Sequence, residues 1–196
     1  MRRGGLRFTA GGRRRVLLVG AIVAALALLA GAALAYTLGT TEGLCWCVMH
    51  APHRYLREAC VWRLPREDAR TADTLIVALG DADKDVRYGA AVRLRSFPDH
   101  PDVVPALLRA LEDPDSLVQS GAVWSLGAIR DRAAYEPIIA LADHPDAVVR
   151  AAVASVLGYY PDRRGIPALG RLVHDADPDV RQRAAASLEV LARLPE

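Results

Sequence analysis

Apolar and polar positions recur along this chain with a period of 31 to 32 residues. Each repeating segment has apolar side chains at offsets 0, 4, 8 and 11, which lie on one face of an α-helix. We therefore predict one amphipathic helix in each segment and call these the motif helices. Four segments align without gaps: VRYGAAVRLRSF from Val86, VQSGAVWSLGAI from Val118, VRAAVASVLGYY from Val149 and VRQRAAASLEVL from Val180.

A period of this size is typical of a solenoid, in which no single unit can bury its apolar face and neighbouring units stack. The valine that opens each motif helix and the leucine eight positions later are the predicted repeat core. Small residues between them allow close helix packing. The predicted core positions are Val86, Leu94, Val118, Leu126, Val149, Leu157, Val180 and Leu188.

An aspartate stands three residues before each opening valine. A carboxylate at this position accepts hydrogen bonds from the free amides of the first helical turn and faces the positive end of the helix dipole. We therefore predict that these aspartates are helix N-caps. They are Asp83, Asp115, Asp146 and Asp177.

A second apolar segment lies between successive motif helices and predicts an intervening helix. Prolines at the start of three of these segments suit a first helical turn, where no backbone donor is lost. Residues 52–64 (PHRYLREACVWRL) fit a degenerate motif helix, so the predicted repeat domain covers residues 52–194. The intervening segments are TLIVAL from Thr74, PALLRAL from Pro105, PIIAL from Pro137 and PALGRLV from Pro167.

The N-terminal part predicts a membrane anchor. Residues 16–38 carry no charge, and 23 helical residues are enough to cross the roughly 30 Å hydrocarbon core. Residues 1–15 hold six arginines, so we predict a cytoplasmic basic tail, a signal anchor and an exported repeat domain at the cytoplasmic membrane. Ala33 to Ala35 also form an AxA-like cleavage site, and a cleaved signal peptide is the alternative. Both interpretations export the repeat domain.

Composition favours a helical body that does not bind nucleic acid. The chain is 52% hydrophobic with only 6% aromatic residues, and Ala, Leu and Val dominate. Beyond residue 15 there are 19 basic and 23 acidic residues, a net charge of −4. Nucleic-acid binding requires a concentrated basic face, which this balance does not provide.

The motif resembles HEAT repeats of the PBS-lyase type. It reads LGDADKDVRYGAAVRL from Leu79 and LVHDADPDVRQRAAASL from Leu172. The resemblance implies an all-α fold: a short right-handed α-solenoid of about four helix pairs, which follows the transmembrane helix. It does not imply a function, since the family includes bilin lyases, a di-iron hydroxylase, DNA-repair enzymes and scaffolds.

The sequence contains no recognisable set of catalytic residues. No His-Glu dipeptide occurs, and no nucleophile stands with a base at a defined spacing. Asp81, Asp83 and Asp85 have the spacing that begins a calcium-binding loop. The glycine and the bidentate glutamate that such a loop requires are missing. Capping and pairing with motif arginines such as Arg87 account for these aspartates. We therefore expect a non-enzymatic scaffold without cofactor that binds a protein or peptide partner, and Trp124 is the candidate hot spot.

A segment rich in Cys and His, residues 39–51, separates the predicted membrane helix from the repeats. It suggests the alternative function, a juxtamembrane metal-binding or thiol-redox protein. Zinc, copper or thiol-redox chemistry suits such a set, although the CxC spacing is not the usual zinc CxxC. The structural interpretation is one disulfide between Cys60 and either Cys45 or Cys47, and the third thiol is then free to link two chains as a dimer. The candidate ligands are Cys45, Cys47, His50, His53 and Cys60.

Overall fold

The structure is a computed structural model that describes residues 41–66, 68–160 and 162–193. These residues form ten α-helices and no β-strand. From Leu44 onward the chain forms one compact unit. The predicted all-helical repeat solenoid is therefore confirmed in this part of the chain.

The helices form two layers. Motif helices pack side by side in one layer, and each intervening helix packs on the motif helix that follows it. The helix α1 (Thr41–His50) comes first. The motif helices are α2 (Arg54–Arg63), α4 (Lys84–Leu94), α6 (Ser116–Ile129), α8 (Ala147–Leu157) and α10 (Pro178–Ala192); the intervening helices are α3 (Ala69–Ala78), α5 (Val103–Ala110), α7 (Tyr135–Ala140) and α9 (Ile166–Leu172).

Intervening helices begin earlier than their prolines or first aliphatic residues indicate. Helix α3 starts at Ala69 instead of Thr74, because Asp68 caps it through a hydrogen bond from the Arg70 amide. Helix α5 starts at Val103, two residues before Pro105. The proline still lies in the first turn, where its missing amide costs no helical hydrogen bond. Helix α7 has six residues and is flanked by two short 3-10 turns.

The four aspartates at the predicted caps open motif helices as the sequence predicts. Each has extended backbone, and its carboxylate accepts a hydrogen bond from the amide two residues later, which satisfies one of the free donors of the first turn. The pairs are Asp83 with Asp85 N, Asp115 with Leu117 N, Asp146 with Val148 N and Asp177 with Asp179 N.

Seven of the eight predicted core residues have no exposed surface. The exception is Leu188, which is only partly buried and packs against the edge of the core. It lies on α10, the last described motif helix, which packs on α8 and α9 on its inner side.

Bidentate salt bridges join successive repeats. Arg87 donates from Nε and Nη2 to the two carboxylate oxygens of Asp113, at 2.7 and 2.9 Å. Arg57 bonds Asp81 and Arg150 bonds Asp175 in the same way. The sequence predicts that Arg87 pairs with the aspartates that precede its own helix, and this is wrong: Arg87 reaches the turn of the next repeat, as Arg57 and Arg150 do. We call these three pairs the ladder.

The ladder is interrupted between α6 and α8. Gln119 stands where the other helices have arginine, and His144 stands where the other turns have aspartate. The His144 Nδ1 accepts from the Asp146 amide at 3.0 Å, as Asp113 does from the Asp115 amide. Among the described residues, the buried Oε1 of Gln119 has no hydrogen-bond partner. This junction therefore lacks the bidentate Arg–Asp pair that joins the other repeats.

The predicted basic tail (residues 1–15) and membrane helix (residues 16–38) lie outside the described residues. Within the part that is described, no helix combines the length and the apolarity needed to span a bilayer. The membrane anchor stays a prediction from sequence.

Candidate interaction surface

Four aromatic side chains lie on the outer face of the motif-helix layer. Three of them are well exposed: Trp62 at 45%, Tyr88 at 38% and Tyr159 at 45%. Trp124 is partly buried and packs against the core. We call Trp62, Tyr88, Trp124 and Tyr159 the aromatic ridge. It extends from α2 through α4 and α6 to the end of α8, so every repeat up to α8 contributes one ring.

Glycines allow the ridge rings to lie close to the neighbouring helix. A Cβ at Gly89 would stand 3.5 Å from Cε2 of Trp62, and a Cβ at Gly121 would stand 3.1 Å from Cδ2 of Tyr88. A larger residue at Gly121 would therefore push the Tyr88 ring away. The Trp62 and Tyr88 rings thus each pack against the next motif helix.

The far end of the ridge is held by two buried tyrosines. The Trp124 and Tyr159 rings have centroids 6.2 Å apart. Beside Tyr159, the Tyr160 hydroxyl donates to the Leu126 carbonyl at 3.0 Å, and its ring lies 4.8 Å from the ring of Tyr135. Burial raises the pKa of Tyr160 to about 12, so its hydroxyl stays a donor at neutral pH. This bond fixes the segment that carries Tyr159.

The sequence prediction identified Trp124 but missed the other three ridge residues. A signal for them was present. Trp62 and Trp124 share offset 6 in their repeats, and Tyr88 and Tyr159 stand at offsets 2 and 10. Offsets that differ by four share one helical face. The stripe is visible once the degenerate first repeat is included in the alignment.

The Cys and His residues of the alternative function do not form a common site. No group of three or more potential ligands comes together in the described residues. Cys45 and Cys47 are two positions apart on α1, so they point to different sides of the helix. The His50 Nδ1 lies 3.0 Å from the Trp46 carbonyl, and its ring stacks on that of Trp46. The candidate ligands of the alternative function are therefore not brought together within the described residues.

The structure joins Cys47 to Cys60 in a disulfide, which is one of the two pairings that the sequence left open. The remaining thiol is that of Cys45, which is 8% exposed. Its Sγ faces the Arg70 carbonyl at 3.9 Å. A buried thiol cannot reach a second chain, and the predicted disulfide-linked dimer is therefore not supported.

Residues 39–51 were predicted as a segment that separates the membrane helix from the repeats, and the structure shows a helix within it. Residues 41–50 are the helix α1, and Cys45 and Val48 belong to the hydrophobic core. The disulfide from α1 to α2 makes this segment part of the array. The helix was hard to predict because its packing depends on a partner 13 residues away.

A shallow groove lies in the other layer, between α3 and α5. It has a volume of about 300 Å³, and its lining is mainly apolar, with Val77 on one side and Arg109 and Asp113 on the other. Asp113 is already engaged by Arg87. The groove therefore offers apolar contact but no catalytic pair.

Comparison with protein families matches this chain to the model for HEAT repeats over residues 72–154 and 135–194. Together these ranges cover more than half of the chain. Comparison with curated protein sequences finds no significant match.

Solved structures with the same architecture include three of different origin. The complex of CpcE and CpcF of phycocyanin lyase from Nostoc sp. PCC7120 matches with 25% identity and a TM-score of 0.69, over 79% of this chain and 65% of that one. The present chain thus spans less than two thirds of that protein. A designed armadillo repeat protein in complex with the peptide (KR)4 matches with 18% identity and a TM-score of 0.61, over 78% of this chain and 82% of that one.

Human deoxyhypusine hydroxylase in complex with glycerol matches with 23% identity and a TM-score of 0.55, over 83% of this chain and 66% of that one. At this identity, as for the designed protein, the likeness shows the fold alone. Stacked helical repeats are thus shared by proteins with different activities, and a function has to be argued from the surface of this chain.

Proposed function

Because this chain belongs to the HEAT-repeat family, we propose that it is a membrane-tethered, non-enzymatic scaffold whose motif-helix layer binds a protein partner. The aromatic ridge is the observation that carries the proposal. Exposed aromatic residues that are held in place dominate binding energy at protein interfaces. Here three rings on three helices and a fourth in the turn after α8 lie on one face. The CpcE and CpcF structure, a complex of two proteins, supports a protein as partner.

The rigidity of the ridge supports binding through a preformed surface. Trp62 and Tyr88 pack over glycines of the next helix, and the Tyr160 hydrogen bond fixes the segment that carries Tyr159. A surface that is ordered before binding loses little conformational entropy when it binds. We therefore expect the partner to contact several repeats at once.

We also propose that residues 16–38 tether the array and that the array lies outside the cytoplasm. The arginine-rich residues 1–15 support this topology through the positive-inside rule. The disulfide between Cys47 and Cys60 supports it independently, since disulfides form and persist in oxidising compartments.

The proposal is tested by affinity purification of the full chain from solubilised membranes of its native host. The double variant Trp62→Ala with Tyr159→Ala removes two exposed rings. We expect its recovery of the partner to fall at least about tenfold, because each ring acts as a hot spot. Circular dichroism melts verify that the variant still folds.

The matched control is Val77→Ala, which shortens an apolar side chain that is 60% exposed on α3 in the other layer. We expect this variant to recover the partner as the native chain does. Equal recovery by the ridge variant and the native chain would refute the ridge as the binding surface.

A further inference from the structure

Helix α1 exposes its two largest apolar side chains, Trp46 and Met49, while the smaller Leu44 packs against the core. Trp46 is 57% exposed and Met49 is 47% exposed, and they stand three positions apart on one face of the helix. The buried residues of this helix are Cys45, Cys47 and Val48. A helix that faces water would favour the reverse arrangement, since burial of larger apolar side chains is more stabilising.

The orientation of α1 is fixed by bonds to the rest of the array. The disulfide links Cys47 to Cys60 of α2, with 6.3 Å between their Cα atoms. Just after α1, the Ala51 carbonyl accepts a hydrogen bond from Arg57 Nη1 at 2.8 Å. Helix α1 therefore cannot turn Trp46 and Met49 inward without breaking a covalent bond.

The sequence places this face next to the apolar run. The run ends at residue 38 and α1 begins at Thr41, so three residue steps of about 3.6 Å separate them by at most about 11 Å. Trp46 lies five residues further, about 7.5 Å along the helix axis. A membrane-spanning run would thus hold Trp46 within about 19 Å of the hydrocarbon boundary.

We propose that α1 is an interfacial helix whose Trp46 and Met49 side chains enter the headgroup region of the bilayer. This inference rests on the proposed tether by residues 16–38. Two observations favour lipid over a protein at this face. Only a short connection separates the apolar run from α1, and tryptophan is enriched at membrane interfaces. The disulfide would then transmit the orientation of α1 to the array.

The test measures which tryptophan contacts lipid in the full chain reconstituted into phosphatidylcholine and phosphatidylglycerol vesicles. The variant Trp62→Phe with Trp124→Phe leaves Trp46 as the sole tryptophan. The matched control, Trp46→Phe with Trp62→Phe, leaves Trp124. With lipids brominated near the headgroup end of the acyl chain, we expect Trp46 emission to be quenched about twofold or more and Trp124 emission to be unchanged.

Three outcomes would overturn the inference, and they differ in their meaning for the tether. Unquenched Trp46 in a chain that remains with the vesicles after an alkaline carbonate wash overturns the docking of α1 and leaves the tether intact. A chain that washes off the vesicles overturns both. Equal quenching of Trp46 and Trp124 would place the ridge against lipid, and it overturns both the orientation and the ridge as a protein-binding surface.

Discussion

Leu126→Asp should unfold the repeat array. Leu126 has no exposed surface and lies in the C-terminal half of α6, the middle motif helix. The substitution removes a buried aliphatic side chain and places a carboxylate where no partner exists. We expect a loss of about 5 kcal/mol in the free energy of unfolding, which is comparable to the whole stability of many domains. Chemical denaturation followed by circular dichroism measures it.

The matched control for this prediction is Leu117→Asp on the same helix. Leu117 is 46% exposed and stands in the first turn, where a negative charge is favourable. We expect its stability to stay within about 0.5 kcal/mol of the native chain. If the two variants had the same stability, the helix register described above would be incorrect.

Arg87→Ala should produce the second largest loss, because it breaks one step of the ladder. The two side chains of this pair are only 13% and 8% exposed, so the substitution leaves the Asp113 carboxylate largely buried without its charged partner. The hydrogen bond with Asp113 raises the pKa of Arg87, as expected for a guanidinium held by a carboxylate. We expect a loss of about 2 to 3 kcal/mol, somewhat less than for a fully buried pair.

The control is Arg171→Ala, which removes an arginine from a second Arg–Asp pair. Arg171 and Asp143 are 56% and 74% exposed, and pairs of this kind contribute about 0.5 kcal/mol or less. A double-mutant cycle between Arg87→Ala and Asp113→Ala isolates the energy of the ladder step. A coupling energy near zero would show that the ladder only accompanies the stacking of the repeats and does not stabilise it.

The Arg150–Asp175 step of the ladder has an expected pH dependence. The hydrogen bond with Arg150 lowers the pKa of Asp175 below its usual value. A carboxyl group whose pKa is lower in the folded state stabilises the fold above its unfolded pKa, about 3.9. This contribution is lost as the pH falls through the folded pKa. The Arg150–Asp175 step therefore contributes to stability at neutral pH and loses this contribution in acid.

The repeat helices were predictable from sequence because each is specified locally. An opening valine, a leucine eight positions on and an aspartate cap recur in the four repeats from α4 to α10, and the helix period converts this spacing into a buried face. The pairing of Arg87 with Asp113 was not predictable in this way. Its partner depends on how two repeats stack, which is a property of the tertiary structure.

The candidate surface was less predictable than the fold for the same reason. Trp124 stood out as an unusual residue, but the ridge depends on glycines that admit rings from the neighbouring helix. Helix α1 has no recurring motif and is held by a disulfide to α2. The aromatic ridge and the packing of α1 both arise from contacts between segments that are distant in sequence. The pattern within one segment therefore does not predict them.

The most direct test of the central claim is site-specific photocrosslinking of the full chain in native membranes. A photoreactive phenylalanine analogue replaces Tyr159 on the ridge in one sample and Val77 in the other layer in a second. Both positions are exposed, at 45% and 60%. We expect the analogue at Tyr159 to crosslink to one defined partner protein and the analogue at Val77 to give no such product. A crosslink from the Val77 position alone would place the partner at the groove between α3 and α5 and contradict the ridge as the binding surface.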